Sequence, residues 1–144
     1  MTTYIDTAIL AKLYCPETDS DKATALVQNW DPPFIFTHLH ELELRTALRL
    51  KAFRKEITLE VLAEALERLD EDIASGFLRR PSYDFQQVHR EAERISAAHA
   101  ATFGCRTLDI LHVAAALSVG ATDFVTYDLH QKKLAKETGM HAHP

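Results

Sequence analysis

Residues 107–128 read TLDILHVAAALSVGATDFVTYD, and this stretch decides the fold. Leu108 to Val119 is apolar nearly all round the helical turn, the pattern of a helix buried on every side. Thr107 stands where its N-cap is expected, and Gly120 terminates it. Asp123 to Thr126, DFVT, is then a short strand rich in β-branched and aromatic residues, and Asp128 follows it at once. A buried helix leading into an apolar strand is the repeating step of an α/β domain.

The same alternation extends outward in both directions. Residues 2–5, TTYI, form a first strand, and Ala8 to Tyr14 a helix, with Asp6 at the seam. Thr18 to Trp30 carries cap residues and then a helical pattern, broken by Asp31, Pro32 and Pro33. Phe34 to Thr37, FIFT, is a compact apolar strand, and His38 to Arg54 a long helix. Thr58 caps a second long helix that runs to the break at Arg79, Arg80 and Pro81. Residues 81–85, PSYDF, are read as an edge strand. Asp84 and Gln87 have capping-box spacing and open a helix through Ala101, which Gly104 ends. Leu129 to Lys136 is a short helix, and Met140 to His143 a last strand. Strands alternating with helices imply a central parallel sheet covered on both faces, a three-layer α/β/α fold. With no internal repeat or linker, residues 1–144 are expected to form a single domain.

Composition narrows the class without naming a partner. The chain has 144 residues, 47% hydrophobic and 26% charged, which is the balance of a globular protein and not of a disordered one. No stretch approaches the roughly 20 apolar residues of a membrane span, and the N-terminus lacks the basic and apolar segments of a signal peptide. A cytosolic protein is expected. Cys15 and Cys105 are far apart and no CxxC pair exists, which argues against zinc held by cysteine. A disulfide between them stays open. The net charge of −5 argues against gripping nucleic acid by charge alone. It leaves open an enzyme on nucleic acid whose acidic metal site lowers the total.

Four acids stand in comparable places. Ligands of open parallel sheets bind beyond the carboxyl ends of the strands. Asp6 and Asp128 lie there, Asp109 lies in the first turn of the buried helix, and Glu43 lies in the second turn after FIFT. Singly, Asp6 and Asp128 are explained as N-caps and Asp109 as a complement to the helix dipole. Glu43 is harder to explain so, because it falls among Leu39, Leu42, Thr46, Ala47 and Leu50 on what reads as the apolar face. Glu41 faces the other way, near Arg45 at i+4. Clustered carboxylates repel unless a cation compensates them, and an all-oxygen set selects magnesium or manganese. Such a metal activates water and stabilises the leaving oxygen of a phosphodiester.

YIDTAILAKLY, ELELRTALRL, RTLDILHVAAAL and DFVTYDLHQKKLA resemble, in order and context, the PIN-domain nucleases, and especially the VapC-type toxins of toxin–antitoxin systems. The resemblance covers nearly the whole chain. It implies that Asp6, Glu43, Asp109 and Asp128 are the metal-binding acids of an endoribonuclease dependent on magnesium or manganese. It implies products with 5′-phosphate and 3′-hydroxyl ends, a homodimer, and neutralisation by a cognate antitoxin. Thr126 matches the Ser/Thr whose hydroxyl helps position the site, and Thr7 follows the first Asp as in the family. Ala8 departs from the family's frequent Ser, removing a hydroxyl from the neighbourhood. The antitoxin's groove is expected along the helices from His38 to Leu78, with Arg45, Arg49, Lys51, Arg54 and Lys55 facing RNA phosphates, antitoxin acids or solvent.

Other residues carry weaker signals. His112, three positions after Asp109, either assists the site or is a structural histidine of the interior. Arg106 either reaches a scissile phosphate or makes a surface ion pair. Lys132 and Lys133 face RNA or solvent, Tyr127 offers a stacking surface, and Trp30 is expected in the core. His141 and His143 are placed at a frayed terminus. The absence of a P-loop, GxGxxG or GxSxG removes support for nucleotide and serine-hydrolase chemistry. A PIN-like module acting by binding RNA or a protein without catalysis is the alternative. A phosphoacceptor receiver fits poorly, lacking paired acids after the first strand.

Overall fold

The first strand, β1 (Thr3–Ile5), lies parallel to β4 (Asp123–Val125), and the register pairs Tyr4 with Phe124 and Ile5 with Val125. Both large residues are fully buried and their rings stack at 5.2 Å. This aromatic pair adds to the ladder hydrogen bonds and fixes the register of two strands far apart in sequence. The computed structural model describes residues 2–15 and 20–144. Intrachain contacts divide it into two compact units, Met1–Asp6 with Pro81–Pro144, and Thr7–Arg80.

The first unit is built on the three-stranded parallel sheet β1-β4-β5, with β5 at His141–His143. Its helices are α5 (Phe85–Phe103), α6 (Thr107–Ser118) and α7 (Leu129–Glu137). Helix α6 buries Ile110, His112 and the run Val113–Ala116, as its all-round apolar sequence requires. The small Ala114, Ala115 and Ala116 leave room for close packing against α5 and the rest of the unit. Helix α5 starts on Asp84, whose carboxylate accepts from the Gln86 and Gln87 amides, and stops at Gly104 in the left-handed conformation, φ 68°.

The second unit contains α1 (Thr7–Tyr14), α2 (Ser20–Val27), β2 (Phe34–Ile35), α3 (His38–Phe53), α4 (Leu59–Ser75) and β3 (Leu78–Arg79). Thr58 caps α4 by accepting from the Val61 amide, and Gly76 ends it at φ 84°. Arg45 on α3 pairs with Glu41 at 3.2 Å and with Asp70 of α4 at 2.6 Å. Tyr14 of α1 donates to Asp72 of α4 at 2.6 Å.

The protein has the mixed α/β architecture with parallel strands expected from its sequence. Several local readings change. The parallel strands fall into two sheets, with β2 beside β3, and β3 occupies Leu78–Arg79 where the second long helix was expected to continue. Residues 81–84 are not strand. Helix α2 begins at Ser20; the expected start at Thr18 lies outside the described residues. The buried face of α3 is His40, Leu44 and Leu48, while Leu42 is 66% exposed and Leu50 46%. The face assigned to Glu43 is therefore corrected: Glu43 is half-buried, beside the apolar stripe and not at its centre. Strand β5 replaces the expected fraying: His143 Nε2 lies 2.9 Å from Asp123 Oδ1, and its carbonyl accepts from the Thr126 amide. Cys15 and Cys105 are free thiols.

Candidate active site

Parallel register places Asp6 and Thr126 side by side, because each is the residue after a paired strand end, Ile5 and Val125. The Asp6 amide donates to the Val125 carbonyl at 2.9 Å, so pairing reaches one residue past the strand. Asp6 and Thr126 are both buried. The Thr126 hydroxyl donates to Asp6 Oδ2 at 3.1 Å and accepts from the Asp128 amide at 3.0 Å. One side chain thus orients the first acid and the loop carrying the last.

Asp128 is the N-cap of α7, accepting from the Gln131 amide at 2.9 Å through Oδ1. Asp109 caps α6 from its third position: Oδ2 accepts from the Arg106 amide at 3.1 Å. The expected cap by Thr107 is therefore corrected, since Thr107 is already helical and Arg106 holds the N-cap position without a side-chain cap bond. Asp109 Oδ1 accepts from Gln131 Nε2 at 3.2 Å. A continuous hydrogen-bonded chain results, running Asp6, Thr126, Asp128, Gln131, Asp109. Three of the four predicted acids are joined within the first unit, at the carboxyl ends of parallel strands. The cap reading and the site reading of Asp109 and Asp128 are compatible, because a carboxylate has about four acceptor positions and a cap uses one or two.

Gln131 is the residue that sequence reading missed. A signal was present: Asp128 and Gln131 have the same Asp-x-x-Gln spacing read as a helix start at Asp84 and Gln87. Position alone does not reveal that the carboxamide turns to a second acid.

Glu43 and Thr7 belong to the second unit, where the Thr7 hydroxyl donates to Glu43 Oε1 at 3.1 Å. His112 is 1% exposed, with Nδ1 2.7 Å from the Tyr4 hydroxyl, the geometry of a structural histidine pinning α6 to β1. That bond fixes the height of α6 against the sheet and so the position of Asp109 one turn away. The Arg106 side chain is exposed. Lys132 reaches the Pro144 carbonyl at 3.1 Å. Of the cations on α3 and after it, Arg45 is held by two acids, and Lys51 and Arg54 lie 3.6 and 3.5 Å from Glu56.

Asp109 and Asp128 are held by neutral donors, with His130 Nδ1 3.9 Å from Asp128 Oδ1. Among the described residues, every hydrogen bond to Asp109 and Asp128 comes from a neutral amide. Burial, and then the charges of Asp109 and Asp128, push the Cys105 thiol above its usual value, against an opposing pull from Lys133. Among the described residues, no three His, Cys, Asp or Glu side chains converge as a ready-made metal-binding group. The acids are instead separated by neutral spacers, Thr126 and Gln131. The donor set suits a hard cation: carboxylate oxygens, and the Gln131 carboxamide oxygen, which is buried without a hydrogen-bond partner.

The sequence matches no protein-family model and no curated protein. Its structure is similar to the crystal structure of FitAcB from Neisseria gonorrhoeae, with a TM-score of 0.72 and 17% sequence identity. The similarity covers 99% of this chain and 97% of that one. The two share a fold from end to end. Among the described residues, no helix is long and apolar enough to cross a membrane.

Proposed function

We propose that the protein is a metal-dependent endoribonuclease, the toxin of a type II toxin–antitoxin pair. The observation that carries this reading is the hydrogen-bonded chain joining Asp6, Asp128 and Asp109 through Thr126 and Gln131. The sequence resemblance to PIN-domain nucleases and the fold shared with FitAcB support it. Asp6, Asp109 and Asp128 hold magnesium or manganese, and the resemblance adds Glu43 as a fourth ligand. A cation bound there would supply Lewis acidity and activate water for displacement at phosphorus. The chain's own task is orientation. Thr126 directs the Asp6 carboxylate, the α7 N-terminus fixes Asp128, and the Tyr4–His112 bond sets the position of Asp109. In the hydrolysis, water adds to phosphorus, the bond to the 3′ oxygen breaks, and that oxygen leaves with a proton. Products with 5′-phosphate and 3′-hydroxyl ends follow.

For a protein partner, the second unit offers exposed apolar side chains on α3 and α4: Leu42, Phe53 at 82% exposure and Leu59 at 72%. A cognate antitoxin covers this surface in our reading, and a second copy of the chain completes a homodimer. A binding module without turnover is favoured by one observation, the absence of a converged three-ligand group among the described residues. The test is cleavage of structured RNA with manganese by wild type and by Asp6→Asn. Loss of cleavage in the variant supports the nuclease. Equal cleavage by both refutes the assignment, and cation binding by the wild type without any cleavage selects the binding module.

A further inference from the structure

Gln131 sits between two of the acids and leaves one of its own atoms unused. Its backbone amide donates to Asp128 Oδ1 at 2.9 Å and its Nε2 to Asp109 Oδ1 at 3.2 Å. The residue is 6% exposed, and its Oε1 is buried with no hydrogen-bond partner. A buried acceptor without a partner is costly, so such an atom in a carboxylate cluster calls for a donor or a cation. The orientation of the amide is set by its partner, because exchanging its oxygen and nitrogen would turn an acceptor toward the Asp109 carboxyl oxygen and lose the Nε2 bond.

Reach admits a hydrated cation as that donor. The nitrogen and oxygen of one carboxamide are about 2.3 Å apart by covalent geometry. With Nε2 3.2 Å from Asp109 Oδ1, Oε1 therefore lies within about 5.5 Å of the same carboxylate oxygen. Magnesium or manganese binds oxygen at about 2.1 Å and keeps several waters, and a hydrogen bond to such a water spans about 2.8 Å. A cation held by Asp109 would therefore have Oε1 within reach of one of its hydration waters.

We propose that Gln131 is a positioning residue of the cation site, its Nε2 holding Asp109 while its Oε1 accepts a hydrogen bond from the hydrated divalent cation. The inference rests on the cation-binding reading of Asp6, Asp109 and Asp128. One carboxamide thereby aims an acid and anchors the hydration shell, and α7 is coupled to α6 through the site. Removal of an outer partner of this kind lowers metal affinity by about 10–100-fold.

The experiment is a titration of the full chain with manganese alone, followed by electron paramagnetic resonance, for wild type, Gln131→Met, Gln131→Glu and Asp109→Asn. Methionine keeps the side-chain length and packing but loses donor and acceptor; glutamate keeps an acceptor oxygen. Gln131→Met is expected to bind about tenfold or more weakly, and Gln131→Glu within about threefold of wild type or tighter. Equal affinity of wild type and Gln131→Met, with binding lost in Asp109→Asn, overturns the role of Gln131 and leaves the acid site standing. Equally weak binding by the Met and Glu variants overturns the role of Oε1, since packing or the amide donor alone would explain both. Absence of binding by wild type, or undiminished binding by Asp109→Asn, overturns the cation reading and this inference with it. A second measurement needs no variant: in 15N-labelled wild type, the Gln131 side-chain amide resonances shift as magnesium saturates the site. Resonances that stay in place while the Asp128 amide shifts refute the proposal.

Discussion

Replacing Thr126 by Val is the most incisive perturbation of the site, because it removes a hydroxyl and keeps the shape. Thr126 is fully buried. Its hydroxyl donates to the Asp6 carboxylate at 3.1 Å and accepts from the Asp128 amide at 3.0 Å. A hydrogen bond to a charged group contributes about 1.5–3 kcal/mol and a neutral one about 1. Asp128 is exposed, so water replaces its lost partner in part, and the expected cost is about 2–3 kcal/mol. At about 2–4 °C per kcal/mol for a chain near this length, the melting temperature falls by about 5–10 °C. Thr126→Ser retains the hydroxyl and loses one buried methyl, about 1 kcal/mol. Urea unfolding of both variants, with Asp6→Ala completing a double-mutant cycle on Thr126→Val, is the assay. A coupling of about 1 kcal/mol or more is expected between positions 6 and 126. Equal stability of the Val and Ser variants, or no coupling to Asp6, refutes the orienting role.

Two further outcomes follow from the electrostatics. Burial raises the Cys105 thiol, and the charges of Asp109 and Asp128 raise it further, so a cation on those acids lowers it and increases the thiolate fraction. Alkylation by iodoacetamide at pH 8 is therefore faster with saturating magnesium, with Cys15 buried and slow to react; an unchanged rate argues against a cation at Asp109 and Asp128. Asp123 is pushed up by burial but lowered overall by the Thr122 hydroxyl, the His143 hydrogen bond and the charges of His143 and His141. A depressed carboxylate stabilises the fold above its unfolded value of about 3.9, and that contribution is lost as pH falls through the lower folded value. The stability difference between wild type and Asp123→Asn in urea is thus full at pH 6 and shrinks below about pH 4; a constant difference down to pH 3 refutes this account.

The meeting of Asp6 with the Thr126–Asp128 loop was legible because it depends on local rules. A strand followed by an acid appears twice, and two parallel strands in register bring Asp6 and the Thr126–Asp128 loop together without any further information. Helix limits set by Thr58, Asp84, Gly76 and Gly104 are equally local. Sequence reading failed where two non-local solutions compete. Helix α3 carries apolar residues on more than one stripe, and tertiary packing chose His40, Leu44 and Leu48, leaving Leu42 exposed. Strand β3 is two residues long, too short for any periodicity, and exists because Leu78 and Arg79 pair with Phe34 and Ile35. His143 looked like a loose end until its carbonyl met Thr126. Gln131 was hidden because its partner Asp109 lies 22 residues away.

The neutral spacers between the acids explain how such a site folds before it binds anything. Two carboxylates about 6 Å apart repel by roughly 3 kcal/mol at an effective dielectric near 20. Drawing three of them together costs more than one ordinary hydrogen bond returns. The Thr126 hydroxyl donates to Asp6, the Gln131 backbone amide to Asp128 and the Gln131 carboxamide to Asp109, so each acid meets a neutral donor in place of a like charge while the three stay in one chain. The same donors then act against a cation, because drawing the carboxylates inward strains or exchanges these bonds. On the proposed cation-binding reading, affinity for magnesium or manganese would be the difference between two opposed terms, so weakening a spacer has two consequences. It releases the acids to approach one another, and it removes the partner that aims them. Thr126→Val and Gln131→Met separate these consequences. Tighter cation binding in both variants would mean that the spacers mainly restrain the acids, and weaker binding that they mainly orient them. The buried, unpartnered Oε1 of Gln131 favours orientation, so weaker binding in both variants is the expected result.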